Sequence, residues 1–142
     1  MKTRKIFLIL IIFLISIFLY LKRNVLFARM KGTGGDLEYA QSKIKHGGER
    51  TLSDAEISQI SSSLYHALLE NATEDEELIY NEISKLKTDG DWYHLVLTFG
   101  IKSDNSFFKS FTGTLPQALK EYLSREELNI VKSYLFNINV EL

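Results

Sequence analysis

The chain opens on a pattern unlike anything that follows it. Ile6 through Leu21 is a run of 16 residues with no charged side chain and a single aliphatic hydroxyl, Ser16. A helix of that length rises roughly 24 Å, a little short of a ~30 Å hydrocarbon core. Lys5 and Lys22 can reach the two interfaces and cover the deficit, and Tyr20 sits near one boundary. A helix buried in a soluble core is not apolar on every face between two basic clusters. Leu21, Lys22, Arg23 and Asn24 offer no small-residue cleavage site, so the run reads as a retained transmembrane anchor rather than a signal peptide.

The stretch that follows, 22–50, is basic and then glycine-rich. Gly32, Gly34, Gly35, Gly47 and Gly48 raise backbone entropy and predict a flexible linker. Asp36 can cap a short helix over Leu37–Lys45, stopped by Gly47 and Gly48. Gly32-Thr33-Gly34-Gly35 is not a phosphate loop, because no strand precedes it and no Gly-Lys-Ser/Thr closes it.

From Leu52 the spacing becomes helical, with start and stop signals at regular intervals. Ser53-x-x-Glu56 is a capping box, with Leu52 placed to staple onto Ile57. Ile57, Ile60, Leu64, Ala67 and Leu68 then form one stripe, ending near Glu70. Thr73-x-x-Glu76 predicts a second box, followed by Ile79, Ile83 and Leu86 and a stop at Thr88-Asp89-Gly90. Asp91 is placed to cap a third, short helix carrying Trp92, Leu95, Val96 and Phe99, with Gly100 at its end. A loop over residues 101–113 contains Phe107, Phe108 and Phe111. Thr114-x-x-Gln117, with Pro116 in the first turn, opens a fourth helix. Ser124-x-x-Glu127 and a Leu123–Leu128 staple open a fifth, with Leu128, Val131, Leu135 and Ile138 as its stripe. Period-two alternation is confined to a short hint at Phe136–Val140. The expected fold is all-α: an N-terminal transmembrane helix, then a compact five-helix domain over 51–142.

Residues 53–140 resemble a single annexin repeat. The resemblance rests on Ala67-Leu68-Leu69-Glu70-Asn71-Ala72-Thr73-Glu74-Asp75-Glu76-Glu77-Leu78-Ile79, which parallels that family's turn into its second helix. Leu119-Lys120-Glu121-Tyr122-Leu123-Ser124-Arg125-Glu126-Glu127 parallels its turn into the fifth. It implies five helices, the first two antiparallel and the third short and crosswise. It does not imply calcium-dependent lipid binding. The turn glycines that would offer carbonyls to calcium are Glu70 and Ala72 here, and the distant acidic ligand falls near Gln117.

Composition narrows the function further. Cysteine is absent, which excludes thiolate metal sites, disulfides and a cysteine nucleophile. The formal net charge of −1 hides an asymmetry: residues 1–31 hold seven basic side chains and no acidic one. Residues 32–142 hold ten basic against eighteen acidic, a net of −8. A domain so acidic is repelled by nucleic acid and by anionic lipid. The basic cluster Lys2, Arg4 and Lys5 ahead of the anchor favours an inside N-terminus and an exported domain, although Lys22, Arg23, Arg29 and Lys31 lie on the other side.

No residue set points to catalysis, a cofactor or a metal. The acids Glu74–Glu77 suit the positive end of a helix dipole and cannot converge on one ion. His46, His66 and His94 lie in separate segments and are read as surface or boundary residues, not zinc ligands. Glu56, Glu82 and Glu121 are the carboxylates a glycoside-type hydrolase would draw on, and each also suits a solvated helix face. The sequence therefore predicts a non-enzymatic, single-pass membrane protein, held by the lipid bilayer and presenting its domain to a protein partner. The alternative is a peptidoglycan-directed envelope hydrolase or lysis accessory. Glu70, Asn71 and Thr73 at the first helical turn, with Phe107, Phe108 and Phe111 in the loop, are the candidate interaction surface. The three phenylalanines are also expected to fold back onto the core.

Overall fold

The computed structural model describes residues 34–70, 75–104 and 111–142. Residues 33–142 cluster as one unit, separate from Met1–Gly32. The expected anchor therefore lies outside the described residues. Among the described residues no helix is long and apolar enough to cross a membrane.

The first described element, α1, runs over 34–45. Its length changes the reading of the linker. Ala40 is buried in the core, and Leu37 and Ile44 pack against it from the same face. Residues 34–50 thus belong to the fold, and the domain boundary expected at 51 moves toward the N-terminus. Asp36 does not cap α1. It lies inside the helix, and its Oδ2 accepts from the Thr114 hydroxyl at 2.6 Å, across the molecule. Gly47 ends the segment at φ +103°, a left-handed turn that glycine takes without strain.

Next come α2 (Asp54–Tyr65), a π-helical turn (His66–Glu70), α3 (Glu76–Ser84) and α4 (Asp89–Phe99). The box at Ser53 forms as the sequence predicts: Glu56 N donates to Ser53 Oγ at 3.3 Å, and Ser53 N donates to Glu56 Oε2 at 2.7 Å. The second start is different, and Thr73 lies outside the described residues. The cap of α3 is Asp75, whose Oδ1 accepts from Leu78 N at 3.0 Å, so α3 starts later than Thr73 predicts. The third start is corrected too. Thr88 caps α4, and Asp91 is its third residue, returning the bond in a box that spans the predicted stop.

Among the described residues, the loop after α4 carries the one departure from an all-α architecture. β1 (Lys102–Asp104) pairs antiparallel with β2 (Phe111–Gly113), in register Lys102↔Gly113, Ser103↔Thr112 and Asp104↔Phe111. Three residues a side are too few to give an alternation that stands out from helical noise. Then follow α5 (Leu115–Tyr122) and α6 (Arg125–Phe136), each opened by its predicted box residues. The period-two hint after Phe136 is the end of α6 instead of a strand. Asn139 turns at φ +60°, and Val140 returns to the core with its N–H on Leu135 O at 3.0 Å.

The core lies where α2 packs on α4 and α3, with α6 against α3 and α5 against α4 and β2. Leu64, Ile79, Leu95, Phe99, Leu115, Leu119 and Leu135 are fully enclosed there. Leu64, Ile79, Leu95, Phe99 and Leu135 sit on the stripes that the helical spacing marks, because burial of one face per helix is the term that drives the packing.

Candidate functional site

Of the residues nominated from the sequence, Glu70 and Phe111 lie among the described residues. Glu70 closes the π-helical turn, exposed, and bonds the ring of His66 four residues earlier. His66 is thus a surface residue, as expected, paired with a carboxylate one turn on. Asn71, Thr73, Phe107 and Phe108 lie outside the described residues. Phe111 is a core residue, 7% exposed, and meets the ring of Tyr122 edge-on at 5.4 Å. The pleat of β2 turns it inward. The Tyr122 hydroxyl in turn donates to the buried Asp104 at 2.9 Å. Phe111 therefore leaves the interaction surface.

A different patch emerges on α6. Ile130 and Tyr134, one helical turn apart, are 42% and 37% exposed, and Phe136 at the helix end is 73% exposed. Val131 and Leu135 take the inward face, so Ile130 and Tyr134 are left on the flank toward α3. Tyr80 of α3 adjoins them. Its phenol is pushed up, first by burial and then by Glu127, Glu76 and Tyr134. Glu127 is held below the usual carboxylate range by the Ser124 backbone N–H, then by the Ser124 side chain. It stays ionised beside the apolar pair. The patch is thus two exposed apolar side chains with an acidic rim. Its signal in the sequence is an isoleucine and a tyrosine at i, i+4, displaced from the Leu128–Val131–Leu135–Ile138 stripe.

Of the carboxylates considered for hydrolysis, Glu56 lines a groove among the described residues. A groove of ≈ 360 Å³ is lined by Leu52, Glu56, Gln59, Ile60, Lys85 and Lys87. Glu56 is the carboxylate on it, and Ser53 binds it through both its N–H and its hydroxyl. Glu82 is buried on α3, where Lys85 Nζ donates to its Oε1 at 2.7 Å. Glu121 is exposed on α5. Among the described residues no three His, Asp or Glu side chains gather as a metal site.

Asp91 is the most heavily bonded polar side chain. It is fully buried and accepts from Thr51 N (2.7 Å), Thr51 Oγ1 (2.8 Å), Leu52 N (3.0 Å), Lys87 N (3.0 Å) and Thr88 N (3.2 Å). Burial by itself would raise its pKa. The donors of Leu52, Lys87 and Thr51 together outweigh that and bring it to about 2. With its lone pairs occupied, Asp91 fastens the segment before α2 to the start of α4, a structural task. No family model, curated protein or solved structure matches the chain.

Proposed function

We propose that this chain is a membrane-tethered, non-enzymatic interaction module whose domain receives a basic amphipathic segment of a partner protein on the α3–α6 flank. The observation that carries this reading is the exposure of Ile130 and Tyr134 beside the carboxylates of Glu127 and Glu76. Two exposed apolar side chains with an acidic rim match a partner helix that offers an apolar stripe flanked by lysine or arginine. The net charge of −8 over residues 32–142 draws such a partner in from a distance.

Ile6–Leu21 serves as the anchor, with the domain on the exported side. Tethering raises the local concentration of the domain at the bilayer, so a modest intrinsic affinity suffices. An annexin-repeat-like arrangement without the calcium site fits the same role.

The test uses the full chain in maltoside micelles and a labelled basic amphipathic helical peptide. Saturable binding is expected, weakened by salt and abolished by Ile130→Asp with Tyr134→Asp. Equal binding by the double variant, or binding indifferent to salt, would overturn the docking surface. Recovery of the expressed chain in the soluble fraction after alkaline extraction of membranes would overturn the tether.

A further inference from the structure

A second surface, on the α1–α4 side, carries chemistry that the docking flank does not. A crevice of ≈ 90 Å³ is lined by Tyr39 and Asp36 of α1, Trp92 and Tyr93 of α4, Lys120 of α5 and Glu141 near the C-terminus. Tyr39 and Tyr93 meet edge-to-face, with ring centroids 5.9 Å apart and planes at 78°. Perpendicular rings bordering one cavity present both π surface and edge to whatever enters it.

We propose that this crevice binds the quaternary ammonium group of a small zwitterion, with the aromatic rings around the cation and Lys120 at its anionic arm. Three aromatic side chains and two carboxylates against one ammonium favour a cation over an anion. The rings take a poorly hydrated, methylated cation at little desolvation cost. One ring already holds a cation: Lys43 Nζ lies 5.3 Å from the Tyr39 centroid. Asp36 is fixed by the Thr114 hydroxyl at 2.6 Å, so its charge stays in place at the crevice wall. Glu141 and Lys120 both line the crevice, and among the described residues neither is in an ion pair. Each is available, one for the positive end of a ligand and one for the negative end. The Tyr93 phenol is pushed up to about 12, by burial first and by Tyr39 second, so it stays neutral and its ring keeps its ordinary quadrupole.

The size of the cavity sets the ligand class. A trimethylammonium group fills a space of this order, while the rest of a phosphocholine or betaine would lie at the mouth beside Lys120. A free solute and a lipid headgroup offer the same group. The proposal shares no residue with the α3–α6 flank, so the two readings fail separately.

Trp92 is the only tryptophan of the chain and borders the crevice, so its emission reads occupancy directly. The full chain in maltoside micelles would be titrated with tetramethylammonium, phosphocholine and inorganic phosphate. The first two are expected to give a saturable change in Trp92 emission, and phosphate none. Tyr39→Ala should weaken both by roughly three- to tenfold, while Tyr39→Phe should keep them. Lys120→Ala should weaken phosphocholine and leave tetramethylammonium unchanged. Tyr39 is 56% exposed, so its replacement leaves the core intact. A response that does not saturate, that sodium chloride reproduces, or that survives Tyr39→Ala unchanged would overturn the proposal. Reconstitution into phosphatidylcholine or phosphatidylglycerol vesicles separates the sources. Loss of the response to added phosphocholine only in the former assigns the site to the headgroup, and a response in both assigns it to the free solute.

Discussion

Asp91 and Glu82 lie nine positions apart, both buried, and the fold treats them in opposite ways. Around Asp91 two chain segments bring backbone and hydroxyl donors to one carboxylate, at 2.7–3.2 Å. Around Glu82 there is one partner, Lys85, and Oε2 accepts no hydrogen bond among the described residues. Burial costs a carboxylate its water shell in both places. Only the first place replaces that shell, so only the first contributes clearly to holding the fold together. The glycines at the same junction follow suit. A Cβ on Gly90 would run into the Glu49 carbonyl, so Gly48–Glu49 lies directly on the first turn of α4. The Thr88 hydroxyl ties the same carbonyl down at 2.6 Å.

The sharpest test is Asp91→Ala. Removing the acceptor strands several buried donors, and a loss of about 3 kcal/mol or more in unfolding free energy is expected from urea titration. A loss no larger than that of Glu82→Ala would erase the distinction. Gly90→Ala should cost roughly 1–3 kcal/mol, measured the same way, because backbone rather than a flexible side chain must give way. A neutral result would mean that residues 48–49 can lift off α4.

Acid provides a third test, of about 2 kcal/mol. The folded pKa of Asp91 lies at about 2, below its ordinary 3.8. Its contribution is therefore complete above pH ~4 and is lost as pH falls toward 2. Glu56 and Glu127 are also lowered, by their hydrogen bonds to Ser53 and Ser124. The quantity to read is the difference in acid-unfolding curves between the wild-type chain and Asp91→Asn, which should converge near pH 2. Parallel curves down to that pH would remove Asp91 as the titrating group. The smallest effect belongs to Glu82→Leu, which exchanges an incompletely bonded buried carboxylate for apolar volume. A change within about 1 kcal/mol of either sign is expected, and a loss near that of Asp91→Ala would show that Lys85 alone satisfies Glu82.

Much of this was legible residue by residue. The boxes at Ser53, Thr114 and Ser124 mark where α2, α5 and α6 begin. They are readable because a cap joins residues three positions apart and needs nothing else from the fold. The inward stripes were readable for a similar reason: a fixed helical period puts them on one face.

What the linear order could not give was contact between distant segments. Asp91 looks like a cap until Thr51 and Leu52, some forty positions earlier, are found on it. Gly48 looks like tether until it is found against Gly90. The crevice needs α1, α4, α5 and the C-terminal residues side by side, and the α6 flank shows itself only once Val131 and Leu135 have chosen the inward face. Local order follows from bonds a few residues long, written in sequence as spacing. Loop closure across forty to eighty residues is decided by the packing of whole faces, and no short pattern encodes it.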